Sequence, residues 1–333
     1  MGRLAGVIIG GGALAAAGMV GLSAAPAGAS LAFAGPGTSG VYYTFHTNYV
    51  EAEVVGHGFS LAASGIGTHD FGNSAVSLTE DGIALSGAGV GDDDDGNSAT
   101  AVSQFGFAGA GAGVFGDHDY GNVASAWAYE GVALGIAGIG DDASHNVADV
   151  IAQQGIGIAI AGLSGDHGDS AFVDVLDGTG FALAAGGDHN SAFAGVNGGE
   201  AFALAGLGFH NTAIAVGSAA GGAIAAAGEG SHNMAVAGAT GVAGSEALAG
   251  EGSNNTAVAV AAGGALATSV AGTGSGNGAY STAILPGSTA TATATASGGT
   301  ALATTVAGTG GSADALSSNG VWSTSFNGKS LDL

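Results

Sequence analysis

Short segments in which alanine alternates with other residues recur along this chain, and glycine-rich stretches separate them. An asparagine precedes most of the repeats at intervals of 21 to 25 residues: Asn48, Asn73, Asn97, Asn122, Asn146, Asn190, Asn211, Asn233, Asn255 and Asn277, with Asp169 taking that place once. Each period contains two alternating segments and two glycine-rich corners, which predicts two strands and two turns. Because a fixed internal period is typical of a solenoid, the sequence predicts an all-β, two-strand-per-coil β-solenoid (β-helix or β-roll) over residues 48–311.

The first segment of each repeat has alanine two residues after the asparagine, as at Ala75 and Ala213. The intervening positions include Glu51 and Asp149, and an unpaired carboxylate is costly to bury. We therefore expect the alanines to face inward and the interior to be alanine-rich. The asparagine side chains should stack at one corner and form hydrogen bonds from coil to coil.

The second segment is apolar at both alternating positions, because its alanines alternate with large apolar residues. Glu200 and Glu246 share the positions of those larger residues, so we expect that row to face outward. An exposed apolar stripe that includes Phe202, Leu204 and Leu248 is typical of an interface with other copies or with a surface. The alternative is that the large residues form the core and alanine faces water.

Residues 1–29 have the pattern of a secretory signal peptide. Arg3 supplies a positive start, residues 4–25 form an apolar run, and Ala27-Gly28-Ala29 matches a small-residue cleavage site. The alternative is a retained transmembrane anchor, since the run is long enough to span a bilayer. The leader predicts a secreted, extracellular or cell-surface protein.

Atypical segments flank the repeats. Large side chains at residues 30–47 predict an N-terminal cap, and residues 312–333 carry Trp322 with the turn dipeptides Asn319-Gly320 and Asn327-Gly328, which predict a C-terminal cap hairpin. A register break is expected near residue 288, with Ser288 taking the asparagine position ahead of a new strand at 289–296.

Composition restricts the partners. The 333 residues include 69 Gly, no Cys, 26 acidic side chains and only two basic ones, with a formal net charge of −24. Without Arg3 of the leader, one Lys and 26 acidic residues give +1 − 26 = −25. A surface with so few cations cannot neutralise phosphates, which argues against nucleic acid and anionic membranes as partners.

One corner carries a row of carboxylates that could bind a cation. Five aspartates each follow a glycine in successive coils: Asp92, Asp117, Asp141, Asp166 and Asp188. Carboxylates stacked ~4.8 Å apart repel one another, so they either splay into solvent or share a cation such as Ca²⁺. The row resembles the Ca²⁺-binding nonapeptide repeats of secreted toxins, but its Asp directly follows the Gly and its period is longer.

A partial histidine column precedes the asparagines at His145, His189, His210 and His232. Such a row is expected to stack at a turn, and the alternative is ligation of Zn²⁺ or Ni²⁺ by adjacent rings. The sequence contains neither a G-x-S-x-G nor an H-E-x-x-H motif. We therefore expect no enzymatic activity.

The alanine- and glycine-rich coils at residues 48–310 resemble the β-roll heads of trimeric autotransporter adhesins, and the leader is similar in style to those of secreted bacterial proteins. The resemblance implies side-by-side packing of coils and adhesion at a surface. The sequence has none of the heptad repeats of adhesin stalks, so their mode of attachment is not carried over.

The function expected from these patterns is that of a secreted or cell-surface structural or adhesive protein, which presents a repetitive acidic surface and self-associates as a homo-oligomer or cell-envelope component. The alternative is a Ca²⁺-dependent, polysaccharide-binding or ice-binding protein. Outward threonine is concentrated in one strand at 289–296, which argues against ice, since ice binding favours threonine in register over many coils.

Overall fold

The computed structural model of the chain describes residues 31–34, 49–64, 72–89, 95–114, 118–139, 143–162, 168–186, 189–208, 210–219, 221–229, 232–241, 244–251, 254–262, 266–273, 277–285, 291–297, 300–307, 312–317, 321–326 and 331–332. Burial of side chains is described between residues 58 and 284. The predicted signal peptide at 1–29 and most of the predicted N-terminal cap lie outside the described residues.

Every secondary-structure element in the described residues is a β-strand. The first eleven are β1 (Leu31–Ala34), β2 (Tyr49–Ser64), β3 (Ser74–Ala88), β4 (Ala99–Val114), β5 (Val123–Ile139), β6 (Val147–Ala161), β7 (Ser170–Leu176), β8 (Gly178–Ala185), β9 (Ser191–Asn197), β10 (Glu200–Gly206) and β11 (Thr212–Ser218). The others are β12 (Ala223–Ala227), β13 (Met234–Thr240), β14 (Ser245–Ala249), β15 (Thr256–Ala262), β16 (Leu266–Thr273), β17 (Gly278–Leu285), β18 (Thr291–Ser297), β19 (Thr300–Ala307), β20 (Ser312–Ser317), β21 (Val321–Phe326) and β22 (Leu331–Asp332).

The strands wind as a parallel β-solenoid, which confirms the predicted fold. From β2 to β6 each coil is one bent strand that pairs in parallel with the next coil along both of its halves. From β7 onward each coil has two strands, and each strand pairs with its counterpart one coil away, as β7 does with β9 and β8 does with β10. We name the two flat parts of this continuous sheet the first wall, which follows the asparagine, and the second wall.

Glycine forms the corner between the two walls. Gly82, Gly106, Gly131 and Gly155 have φ between 129° and 137°, a conformation that residues with a Cβ rarely adopt. A Cβ at Gly155 would also overlap the carbonyl oxygen of Gly131 one coil earlier. The backbone of successive coils therefore approaches so closely at this corner that only glycine fits.

Asparagine forms the opposite corner, where the predicted stacked column is confirmed. The Asn122 side-chain amide donates to Asn97 Oδ1 at 3.1 Å, and the Asn146 amide donates to Asp169 Oδ1 at 3.0 Å. In later coils the amides donate to backbone carbonyls instead: Asn190 to Gly206, Asn211 to Glu229, Asn255 to Gly250 and Asn277 to Gly272. These side chains are buried, and they satisfy polar groups of the corner in place of water.

The interior between the walls is filled mainly by alanine, as predicted. Ala75 and Ala213 are fully buried in the first wall, and the alanine rows of the second wall are buried in the same way. Larger interior residues occur where the facing wall has glycine, since a Cβ at Gly135 would lie 2.8 Å from Val150 Cγ2 and one at Gly157 would lie 2.8 Å from Val173 Cγ1. Valine and glycine thus compensate in volume across the interior.

Antiparallel strands cover part of each end of the solenoid. β1 pairs with the second half of β2, and β22 pairs with β21. Near the C-terminal end, β18 pairs with β16 and so belongs to the second wall. The expectation that Ser288 opens a new coil ahead of residues 289–296 is therefore wrong, because β18 completes the coil that β17 begins.

Candidate functional site

The outer face of the second wall carries the large apolar row, as the sequence predicted. Ala203 and Ala225 of this wall are fully buried, whereas Phe202 and Leu204 are half-buried and point outward. Leu248 occupies the same outward column as Leu204, two coils further along. The alternative, in which large residues form the core and alanine faces water, is wrong.

Acidic residues interrupt this outer face in its C-terminal half. Glu200 begins the strand that carries Phe202 and Leu204, and Glu246 lies beside Leu248, with both carboxylates exposed. Between β2 and β8 the described outward positions of the second wall that remain accessible carry no charged residue: Phe59, Leu61, Ile83, Leu85, Gly87, Phe107, Gly111, Val132, Leu134, Ile136, Ile156, Ile158, Ile160, Thr179, Phe181 and Leu183. The most continuous apolar surface therefore lies N-terminal to the three residues that the sequence singled out.

The outer face of the first wall also exposes large apolar side chains, which the sequence reasoning missed. Trp127 and Val216 are 49% and 42% exposed. Phe172 and Phe193 occupy one outward column in adjacent coils, and their rings stack with centroids 4.9 Å apart. The alternation within the strands indicates that these apolar residues face outward, because they share the outward positions of Asp149.

Asp149 and Asp174 lie in adjacent coils on the outer face of the first wall. Asp174 is exposed, whereas Asp149 is half-buried and its Oδ1 has no hydrogen-bond partner among the described residues. Burial raises the pKa of Asp149 above its ordinary value, and the charge of Asp174 in the next coil raises it further. The pair is thus a local source of unfavourable electrostatics.

The predicted Ca²⁺ row, Asp92, Asp117, Asp141, Asp166 and Asp188, lies outside the described residues, so Ca²⁺ binding stays a prediction. Glu229 and Glu251, which continue the row along the sequence, are exposed. Within the described part of the chain, no cluster of three or more His, Asp or Glu side chains could hold a metal ion.

The histidine column forms a stack, as expected. The rings of His189 and His210 lie 5.5 Å apart and those of His210 and His232 lie 5.3 Å apart, with interplanar angles of 9° and 8°. His145 is separated from this stack by the coil in which Gly168 takes the equivalent position. The exposed imidazoles therefore pack on one another along the corner.

Comparison of the chain with models of protein families, with curated proteins and with solved structures gives no match. Within the described residues there is also no helix of the length and apolarity that crossing a bilayer requires. The surfaces of the solenoid are therefore the features from which its function can be inferred.

Proposed function

We propose that this chain is a secreted or cell-surface structural or adhesive protein, a non-enzymatic rod of stacked coils that associates laterally with copies of itself. The observation that carries the proposal is the distribution of side-chain size in the second wall. Alanine fills the interior, and Leu134, Phe202, Leu204 and Leu248 stand outside. Removal of apolar surface from water lowers the free energy, so large apolar residues on the outside favour a second surface that covers them.

The remaining architecture supports a lateral mode of association. The short antiparallel strands β1 and β22 form part of the sheet edge at the two ends, and very short edge strands disfavour the addition of further strands there. The alanine- and glycine-rich coils are also similar to the heads of bacterial trimeric autotransporter adhesins, in which coils pack side by side. Extracellular location and adhesion to a cell surface belong to this proposal.

The test is the mass of the purified protein in solution, from residue 30 to residue 333, measured by light scattering during gel filtration. We expect an oligomer. Leu134→Glu or Leu204→Glu places a charge on the outer face of the second wall and should shift the mass toward that of a monomer, with β-sheet circular dichroism unchanged. Val216→Glu is the matched control, because Val216 is exposed on the first wall. A monomeric wild type would refute self-association.

A further inference from the structure

Two outward columns of largely apolar residues run along the second wall, and each of them ends on a glutamate. In the order of the coils, the first column consists of Phe59, Ile83, Phe107, Val132, Ile156, Thr179 and Glu200. The second consists of Leu61, Leu85, Gly109, Leu134, Ile158, Phe181, Phe202, Ile224 and Glu246. The side chains of Leu85 and Phe107 lie close to Gly109, so the apolar surface continues past it. A contact that spreads along either column from its N-terminal end therefore reaches a carboxylate.

A repetitive apolar face does not by itself determine how far two copies overlap. Between β2 and β8, a shift by one coil of ~4.8 Å replaces an apolar residue of a column with another apolar residue at most positions. Because burial of apolar surface is non-directional, such shifted contacts have similar free energies, and the longest overlap is favoured. A defined contact between copies therefore requires residues that exclude the longer overlaps.

The two glutamates at the ends of the columns have this property. Glu200 and Glu246 are exposed, and the two basic residues of the chain, Arg3 and Lys329, lie outside the described strands. A second copy placed over either glutamate would remove the carboxylate from water without a lysine or arginine from the described strands to pair with it. An unpaired charge is costly to bury, so overlaps that cover β10 or β14 are disfavoured.

We propose that Glu200 and Glu246 are specificity-determining residues of self-association, which confine the contact between copies to the coils from β2 to β8. The inference rests on the self-association proposed above and adds the residues that limit it, whatever the relative orientation of the copies. Leu204 then lies at the edge of the contact, and Leu248 lies outside it. The glutamates act in order, because a contact that spreads from the N-terminal coils reaches Glu200 first and Glu246 two coils later.

The confined contact is large enough for a specific pair. The coils from β2 to β8, about six at ~4.8 Å each, and strands about five residues wide at ~3.4 Å give a flat area of about 500 Å² in each copy. The pair would bury about 1,000 Å², which is the lower bound expected of a specific interface. The net charge of −24 also favours contact between copies through a surface without carboxylates, and this part of the second wall meets that condition.

The first test removes the two charges singly and together and measures the dissociation constant of the oligomer by sedimentation velocity. Glu246→Gln alone should leave that constant unchanged, because Glu200 still limits the contact. Glu200→Gln should lower it, and Glu200→Gln combined with Glu246→Gln should lower it furthest, by about tenfold or more relative to the wild type. The two single variants change the net charge equally, so a difference between them does not arise from overall repulsion.

The second test probes where the contact ends. Leu183 and Val270 are both half-buried and lie four coils apart in one outward column, so they form a matched pair. Leu183→Glu should weaken association of the wild type, whereas Val270→Glu should have no effect on it. In the variant that carries both glutamines, Val270→Glu should weaken association, because the contact now extends over the C-terminal coils. Circular dichroism should show unchanged β-sheet content in every variant.

Three results would overturn the inference and leave self-association standing. They are equal effects of Glu200→Gln and Glu246→Gln, a double glutamine variant that associates no more tightly than the wild type, and loss of association in Val270→Glu alone. A monomeric wild type would refute both self-association and the role of the two glutamates.

Discussion

Replacement of Gly155 by alanine tests whether the glycine corner holds the coils together. Gly155 has a φ of 137°, and an added Cβ would overlap the carbonyl oxygen of Gly131 in the preceding coil. A residue with a Cβ held in so sparsely populated a conformation costs about 1–3 kcal/mol. Forcing the backbone of two coils apart adds about 1–3 kcal/mol, the usual cost of overpacking. We expect Gly155→Ala to lower the free energy of unfolding by about 2–6 kcal/mol in total.

The matched control is Gly238→Ala on the outer face of the first wall. A Cβ at Gly238 has no heavy atom within 4 Å, and its φ is not positive. This substitution should be neutral or should stabilise the fold by up to about 1 kcal/mol, because it restricts the unfolded chain. Denaturant unfolding of both variants, followed by circular dichroism, gives the comparison. If Gly155→Ala is no less stable than Gly238→Ala, the corner accommodates a Cβ and does not require glycine.

Two further predictions concern carboxylates. Because burial raises the pKa of Asp149, its carboxyl group binds a proton more tightly in the folded state than in the unfolded state. Ionisation of Asp149 therefore destabilises the fold as the pH rises through and above the ordinary Asp range. Asp149→Asn should therefore raise the melting temperature at neutral pH, with a gain that shrinks at acidic pH; a gain independent of pH, or one equalled by the exposed control Glu246→Gln, would contradict this reasoning. If the Asp row binds Ca²⁺, millimolar Ca²⁺ should raise the melting temperature by mass action, and Asp141→Asn with Asp166→Asn should abolish the rise. An equal rise with simple salt would mean that the carboxylates are only screened.

The parts of the fold that could be predicted from sequence are those in which one residue type recurs in register. Asn97 and Asn122 mark a corner because their amides need partners in the interior, and alanine at Ala213 marks an inward position because only a small side chain fits there. Glu200 and Glu246 identified the outward row of the second wall through the cost of burying charge. In each case one physical requirement acted on a side chain that could be seen in the sequence.

The parts that could not be predicted depend on glycine and on contacts between distant segments. Gly155 occupies a corner that demands a positive φ, but with 69 glycines in the chain its column does not stand out from the composition. The pairing of Val150 with Gly135 depends on which positions of the two walls face each other, and alternation within one strand carries no such information. The sequence prediction did not place β18 in the second wall for a related reason, since the alternation of its residues is equally compatible with either wall.

Parallel stacking fixes how far apart in sequence the paired residues are. Ala75 pairs with Ala99, 24 residues later, and Ala192 pairs with Ala213, 21 residues later. The separation is about one coil in both parts of the chain. The entropy lost in closing a loop depends on its length, and here that length is one coil whatever the number of coils. Each new coil therefore meets the same entropic barrier as the one before it, and a longer member of this architecture would fold by repeating one elementary step on a template that is already formed.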